Sequence, residues 1–336
     1  MARASITTTR ERRIARALGA IERRFGSDVA RRLRERAPSV ASSAVPSGSL
    51  GLDLATGTSG FPRGRLTELL GVETSGKTSL LFGAIAATQR QGGLVALIDA
   101  EDSADPEALA ACGVDLRELL VVRPDSAADA LAILTILARC GGPDLLALAS
   151  LAALRDFPIG TGPAAQGEQR PYELARLVSR WLRSLMAALP GEATAVVVTN
   201  EWLSHLPGHR TPGGLALRHY AALRVAVEPL ARLPEGVDGA DGMRVGLTVI
   251  KSKVGVPGGR AEVDLRVGSG VDGAGEILVL GLAAGLIARG PLGWSFGTEP
   301  LGRGVGAARR QLTADSALAG ALAAAIVASR ARPAAG

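Results

Sequence analysis

The chain has 336 residues, 47% of them hydrophobic, and a formal net charge of +6, enough for one large core with a smaller appendage or for two domains. No uninterrupted apolar run is long enough for a bilayer, and the arginine-rich start lacks the apolar stretch of a signal peptide, so a cytoplasmic protein without a membrane partner is expected. The two cysteines, Cys112 and Cys140, exclude a disulfide framework, lack metal-ligand spacing and read as inert core thiols.

Residues 1–40 carry eleven arginines against four acids, and Ile14, Leu18, Ile21 and Phe25 fall at helical spacing over 10–26. One narrow apolar stripe on a basic helix cannot make its own core, so this helix should dock on the main domain or on a neighbouring subunit. Residues 38–49 are small and polar and read as a linker. A strand over 65–70 then runs into Gly71-Val72-Glu73-Thr74-Ser75-Gly76-Lys77-Thr78, and a helix opens at Ser79. This is the P-loop pattern in its strand–loop–helix setting. The glycines let backbone N–H groups curl around a phosphate chain, Lys77 reaches the terminal phosphates, and Thr78 offers its hydroxyl to Mg²⁺.

The buried-type strand 94–99 ends in Asp99-Ala100-Glu101. In an open parallel sheet that end faces the ligand crevice, so Glu101 is placed either to polarise a water beside the γ-phosphate or as a solvated loop acid. Strand 119–122, a helix over 126–140 and strand 144–150 follow, and the alternation argues for an α/β domain with a mostly parallel central sheet. Where a P-loop ATPase usually ends that last strand in an aspartate, this chain has Ala149. A looser stretch over 158–171, a helix over 172–189 and strand 195–200, tipped by Glu201, lead to a loop at 203–214 holding His205 and Arg210. Strands 222–229 and 244–251 read as a hairpin-like pair, with Lys251 and Lys253 on one face at the end of the second. Only three of the 38 basic residues are lysines, Lys77, Lys251 and Lys253, which marks them as positions needing a compact ammonium. A glycine-rich break at 268–275 precedes a small module reaching 328, whose core Trp294 and Phe296 should anchor, and then a disordered tail.

From the first helix nearly to the C-terminus this order of elements resembles the bacterial RecA recombinases. Thr67 to Thr78 resembles their phosphate-binding segment, Ile98-Asp99-Ala100-Glu101 with Asp105-Pro106 their catalytic-glutamate segment, and Asn200 the residue before their nucleotide sensor. Pro212 to Tyr220 resembles the segment closing their second DNA loop, and Lys251-Ser252-Lys253 the lysine pair that reaches a neighbouring subunit's ATP. The resemblance implies a RecA-like P-loop ATPase core over 46–268, preceded by an N-terminal oligomerisation helix and linker over 1–45 and followed by a small C-terminal α+β domain over 269–336. ATP and Mg²⁺ are the implied cofactors, held by Gly71 through Thr78, Ser79 and Asp105. Lys77, Glu101, Glu201, Lys251 and Lys253 are the implied catalytic set. Gln169, Arg170, Arg176, His205, Arg210, Gly213 and Gly214 are the implied DNA contacts.

The family assembles as a helical filament on single-stranded DNA, pairs it with double-stranded DNA in recombination and repair, and stimulates repressor self-cleavage in the damage response. The chain departs from the family at Ala149, at Glu201 in place of the sensor glutamine, at Ala108 and Val267 in place of aromatics near the base, and at Trp202 and Leu203 after the sensor. Slow hydrolysis with retained binding is therefore expected. A second reading is a weakened accessory protein that binds a LexA-type repressor or a translesion polymerase.

Overall fold

The computed structural model describes residues 2–25, 44–155, 170–189, 194–202, 211–233, 241–291 and 293–331, in two compact units that divide between Ala41 and Ser42. The first unit contributes one helix, α1 (Ala2–Phe25). Its Ile14 is 44% exposed and Leu18 and Ile21 are half-buried, while the side chain of Phe25, the fourth member of the expected stripe, lies outside the described residues.

In the second unit β1 (Ala44–Val45), α2 (Leu50–Thr56) and β2 (Phe61–Pro62) precede β3 (Leu66–Gly71) and α3 (Lys77–Arg90). Then come β4 (Val95–Asp99), α4 (Pro106–Ala111), β5 (Leu119–Val122), α5 (Ala127–Cys140), β6 (Leu145–Ala149), α6 (Arg170–Ala188), β7 (Ala195–Glu201) and α7 (Gly214–Tyr220). The chain continues through β8 (Leu223–Leu233), β9 (Gly242–Ser252), β10 (Arg260–Arg266), β11 (Gly270–Val271) and α8 (Gly273–Ala283). The final elements are β12 (Ile287–Gly290), β13 (Gly293–Phe296), β14 (Glu299–Gly302), α9 (Gly304–Ala314) and α10 (Ser316–Ala331). Several helices start where a side chain accepts from an otherwise unpaired N–H: Ser49 from Leu52, Asp105 from Ala108, Ser126 from Asp129 and Asp272 from Gly275.

Nine strands form one sheet in the order β11-β10-β9-β8-β3-β7-β6-β4-β5. From β8 to β5 every pairing is parallel, while β9, β10 and β11 extend the sheet antiparallel. The expected mostly parallel α/β core is therefore present. One sheet face packs Leu69, Leu97, Val197 and Val225 on the buried side of α3, including Leu81 and Ile85. The other packs Ile98, Leu148 and Val198 on Leu134 of α5 and Leu182 of α6. Each such fully buried side chain contributes about 1.5–3 kcal/mol of transfer free energy. Leu278, Ile287, Leu301, Leu312, Leu322 and Ile326 make a third cluster in the C-terminal elements, against which Trp294 and Phe296 are only partly buried. Among the described residues no single helix is long and apolar enough to cross a membrane.

Two readings of composition need correction. The supposed linker already belongs to the fold from Ala44: Val45, Ser47 and Ser49 are buried, and the serines spend their polarity on internal hydrogen bonds rather than on water. Cys140 is exposed at the end of α5, not a core thiol, while Cys112 is half-buried with its thiol pKa raised by burial.

Candidate nucleotide site and a second lysine pair

Gly71 ends β3 and Lys77 begins α3, so the loop between them sits at the carboxyl end of the central strand, over the N-terminus of a 14-residue helix. Gly76 is held at φ +94°, and a side chain there would run into Leu265. A Cβ on Gly71 would strike the Val227 carbonyl and the Ser75 hydroxyl. Both positions thus require glycine, and the helix end they expose is a ready cradle for anions. Lys77 is 8% exposed and donates to the carbonyls of Val72 (2.6 Å) and Gly71 (3.2 Å) and to Ser75 Oγ (3.4 Å). Burial lowers its pKa, opposed by the carboxylates of Glu201, Glu101 and Glu73. A cavity of about 500 Å³ opens from Thr74 through Ser79 towards Met243, Leu265 and Val267.

The carboxylates around this lysine come from three loci. Glu73 belongs to the loop itself and is exposed; Glu101 lies just past β4, also exposed; Glu201 ends β7 in register with Gly71, and the following Trp202 N–H donates to the Gly71 carbonyl. Ala149 ends β6 fully buried, its carbonyl accepting from Ala100 N, so the position offers no carboxylate. Glu201 is the acid of these that stands beside the P-loop strand, 3.9 Å from Arg155. Asp105 is occupied locally, accepting from Ala108 N as the cap of α4. Asp99, buried under the site, accepts from Ser103 and Ala104 and fixes the turn that carries Glu101.

Lys251 and Lys253 are not part of this cavity. Because β9 runs antiparallel to β8, its last residues lie beside the start of β8. Lys253 N donates to the Ala222 carbonyl and Ala222 N to that of Leu66, the first residue of β3, whereas the P-loop leaves from the last. Both ammonium groups turn to the C-terminal end of α7: Lys251 Nζ to the carbonyls of Arg218 (2.5 Å) and His219 (3.0 Å), Lys253 Nζ to that of His219 (2.6 Å). Their shared face is as the spacing implied. Burial, with Lys253 and Arg224 nearby, lowers the Lys251 pKa to about 8.

Of the candidate DNA contacts, Gln169, His205 and Arg210 lie outside the described residues, as does the side chain of Arg170. Arg176 is exposed on α6, and Gly213 and Gly214 start α7 at φ +86° and +72°. Sequence reading missed that Arg180 and Arg183 continue the exposed line of Arg176, one and two turns on, although the i, i+4, i+7 spacing was there to find.

The family model described as RecA N-terminal domain matches residues 12–272. A protein named Protein RecA from Thermus aquaticus is 38% identical over 293 residues, covering 86% of this chain and 85% of that one. Its namesakes from Chloroflexus aurantiacus and Chlorobium chlorochromatii are 36% and 35% identical over 305 and 307 residues, covering 89% and 90% of this chain and 86% of each of theirs.

Proposed function

This chain belongs to the RecA family, and from that premise we propose that it is a RecA-type recombination and repair protein: a cytoplasmic ATP-dependent filament on single-stranded DNA that pairs it with duplex DNA. The observation that carries the reading is the separation of Lys77 from Lys251 and Lys253. One chain holds a phosphate cradle at the carboxyl end of its sheet and two further cations towards the other, which its own cradle cannot use. A head-to-tail stack of copies brings the one against the other. The edge strand β5, with Leu120 50% and Val121 38% exposed, and the exposed Ile14 of α1 supply further surface for such a stack.

The residues present fit Mg²⁺–ATP. The loop, with glycine required at Gly71 and Gly76, and the α3 N-terminus would bind the phosphate chain, Ser79 lies in the first turn of that helix, and Lys77 would exchange its loop carbonyls for phosphate oxygens. Thr78 would be the metal ligand, and Mg²⁺ held there would supply charge neutralisation at the terminal phosphates. Glu101 accepts the proton of the attacking water. Glu201 takes the place beside the cradle left without a carboxylate at Ala149. Asp105, the cap of α4, would be the further nucleotide-binding residue. On the partner side Lys251 and Lys253 stabilise charge developing on the phosphate.

The exposed arginines of α6, Arg176, Arg180 and Arg183, suit a phosphate backbone, and Gln169, Arg170, His205, Arg210, Gly213 and Gly214 are the further candidate contacts. Binding resting on such contacts is indifferent to sequence and weakens with salt. Engagement of a LexA-type repressor or a translesion polymerase belongs to the alternative, a catalytically weakened accessory protein. Electron microscopy with single-stranded DNA and a non-hydrolysable ATP analogue tests the filament reading: regular helical filaments are expected, and DNA coated without order, or not at all, contradicts the reading.

A further inference from the structure

Under the P-loop strand lies a buried polar cluster that the nucleotide chemistry does not use. Glu68, in the middle of β3, is fully buried, and Arg224 Nε of β8 donates to its Oε2 at 2.5 Å. Asn200 of β7, also fully buried, donates from Nδ2 to Glu68 Oε1 (2.8 Å) and to the Pro212 carbonyl (3.1 Å), while its Oδ1 accepts from Glu201 N (3.0 Å). Arg224 is the cross-strand partner of Lys251. The chain of contacts closes through α7, which begins at Gly214, just after Pro212, and whose last carbonyls hold Lys251 and Lys253.

A buried ion pair is a poor way to gain stability, since desolvation offsets most of its attraction and well-packed aliphatic side chains would do as well. Its geometry, by contrast, is exacting: every polar atom of Asn200 is committed, and each partner belongs to a different functional segment. We infer that Glu68, Asn200 and Arg224 are positioning residues that make the Glu201 tip of β7, the exit of the segment 203–210 at Pro212, and the lysine pair move as one body. What Glu201 and the lysines do rests on the function proposed above; the mechanical link does not. A displacement of Pro212 pulls on Asn200, and through it on the Glu201 backbone N–H beside the cradle. The same displacement shifts α7, on whose carbonyls the two ammonium groups are held.

The test compares the wild-type chain with Asn200→Leu, similar in volume but unable to hold Pro212 or Glu201, and with Arg224→Lys, which keeps the charge. Two readouts are taken: amide hydrogen exchange over 211–217 with and without Mg²⁺–ATP, and the ratio of ATP turnover with single-stranded DNA to turnover without it. For Asn200→Leu, Mg²⁺–ATP affinity should stay within about threefold while the exchange slowing is lost and the turnover ratio falls about tenfold, with Arg224→Lys in between. A merely structural role would lower the melting temperature and leave the ratio and the nucleotide-dependent slowing intact, and that result overturns the inference. Should Asn200→Leu fail to fold, Arg224→Lys decides alone, an unchanged ratio and slowing counting against the link. Wild-type turnover indifferent to DNA would remove the filament ATPase reading, and the exchange measurement would still settle the link.

Discussion

At the carboxyl end of β3 Lys77 is 8% exposed and its ammonium is shared among three oxygens of its own loop, whereas the ammonium groups of Lys251 and Lys253, beside the start of β8, rest among the described residues on the last carbonyls of a seven-residue helix. The first cation is fixed before any ligand arrives. The other two are held by an interaction of the kind worth about 0.3–1 kcal/mol at a helix C-terminus, which a phosphate can outbid with charge-assisted hydrogen bonds. On the proposed function, one end of the sheet is a finished phosphate cradle and the other supplies the two cations that a second copy would use.

The sharpest way to break this contrast is to remove the loose half. Lys251→Ala with Lys253→Ala should leave Mg²⁺–ATP affinity of the unassembled chain unchanged and reduce turnover on single-stranded DNA by about 10²–10³, the usual cost of losing groups that stabilise developing charge. Equal losses in affinity by the unassembled chain would place the lysines in their own chain's site. At the finished end, Glu201→Gln should weaken Mg²⁺ affinity and slow turnover about tenfold, and unchanged metal titration and rate would show that the carboxylate missing at Ala149 has no replacement.

Smaller effects follow from protonation. With its pKa lowered to about 8, Lys251 loses its charge as pH rises through that value, so assembled turnover should decline above it. Lys251→Arg, which stays charged, should remove the decline in a pH–rate profile. Far from both ends, the Glu276 carboxylate accepts from Ser49 Oγ (2.6 Å), Leu50 N and Gly51 N, joining α8 to α2. Burial raises Glu276 to about 7 and nearby Asp53 to about 6, from 4.5 and 3.8. For carboxyls raised by folding the stabilising contribution is complete below the unfolded values and is lost as pH climbs through 6 and 7. Melting temperature should therefore be higher near pH 5 than near pH 8, and Glu276→Gln should flatten part of that slope without touching the contrast between the two lysine sites.

The finished end was legible in the sequence because it is local: eight consecutive residues, read with the strand before and the helix after, specify the cradle. Glu101 and Glu201 were legible as strand tips, since a parallel sheet puts such tips on one side. That Lys251 and Lys253 stand apart from the cradle depended on β9 running antiparallel to β8, which residue spacing suggested only as a hairpin. The cluster beneath was invisible, for Glu68 and Arg224 are 156 residues apart and nothing local marks either as buried. Composition misled where small polar residues were taken for solvated ones, as Ser47 and Ser49 show.

The central claim, that each site is completed by a second copy, is tested most directly by mixing two inactive chains. Lys77→Ala lacks the cradle lysine, and Lys251→Ala/Lys253→Ala lacks the donated pair. In an equal mixture on single-stranded DNA about one junction in four joins an intact cradle to an intact pair, if copies add head to tail at random. ATP turnover near a quarter of the wild-type rate, from two chains that are each inactive alone, is the predicted result. A mixture as inactive as its components, in filaments shown to contain both chains, would contradict it.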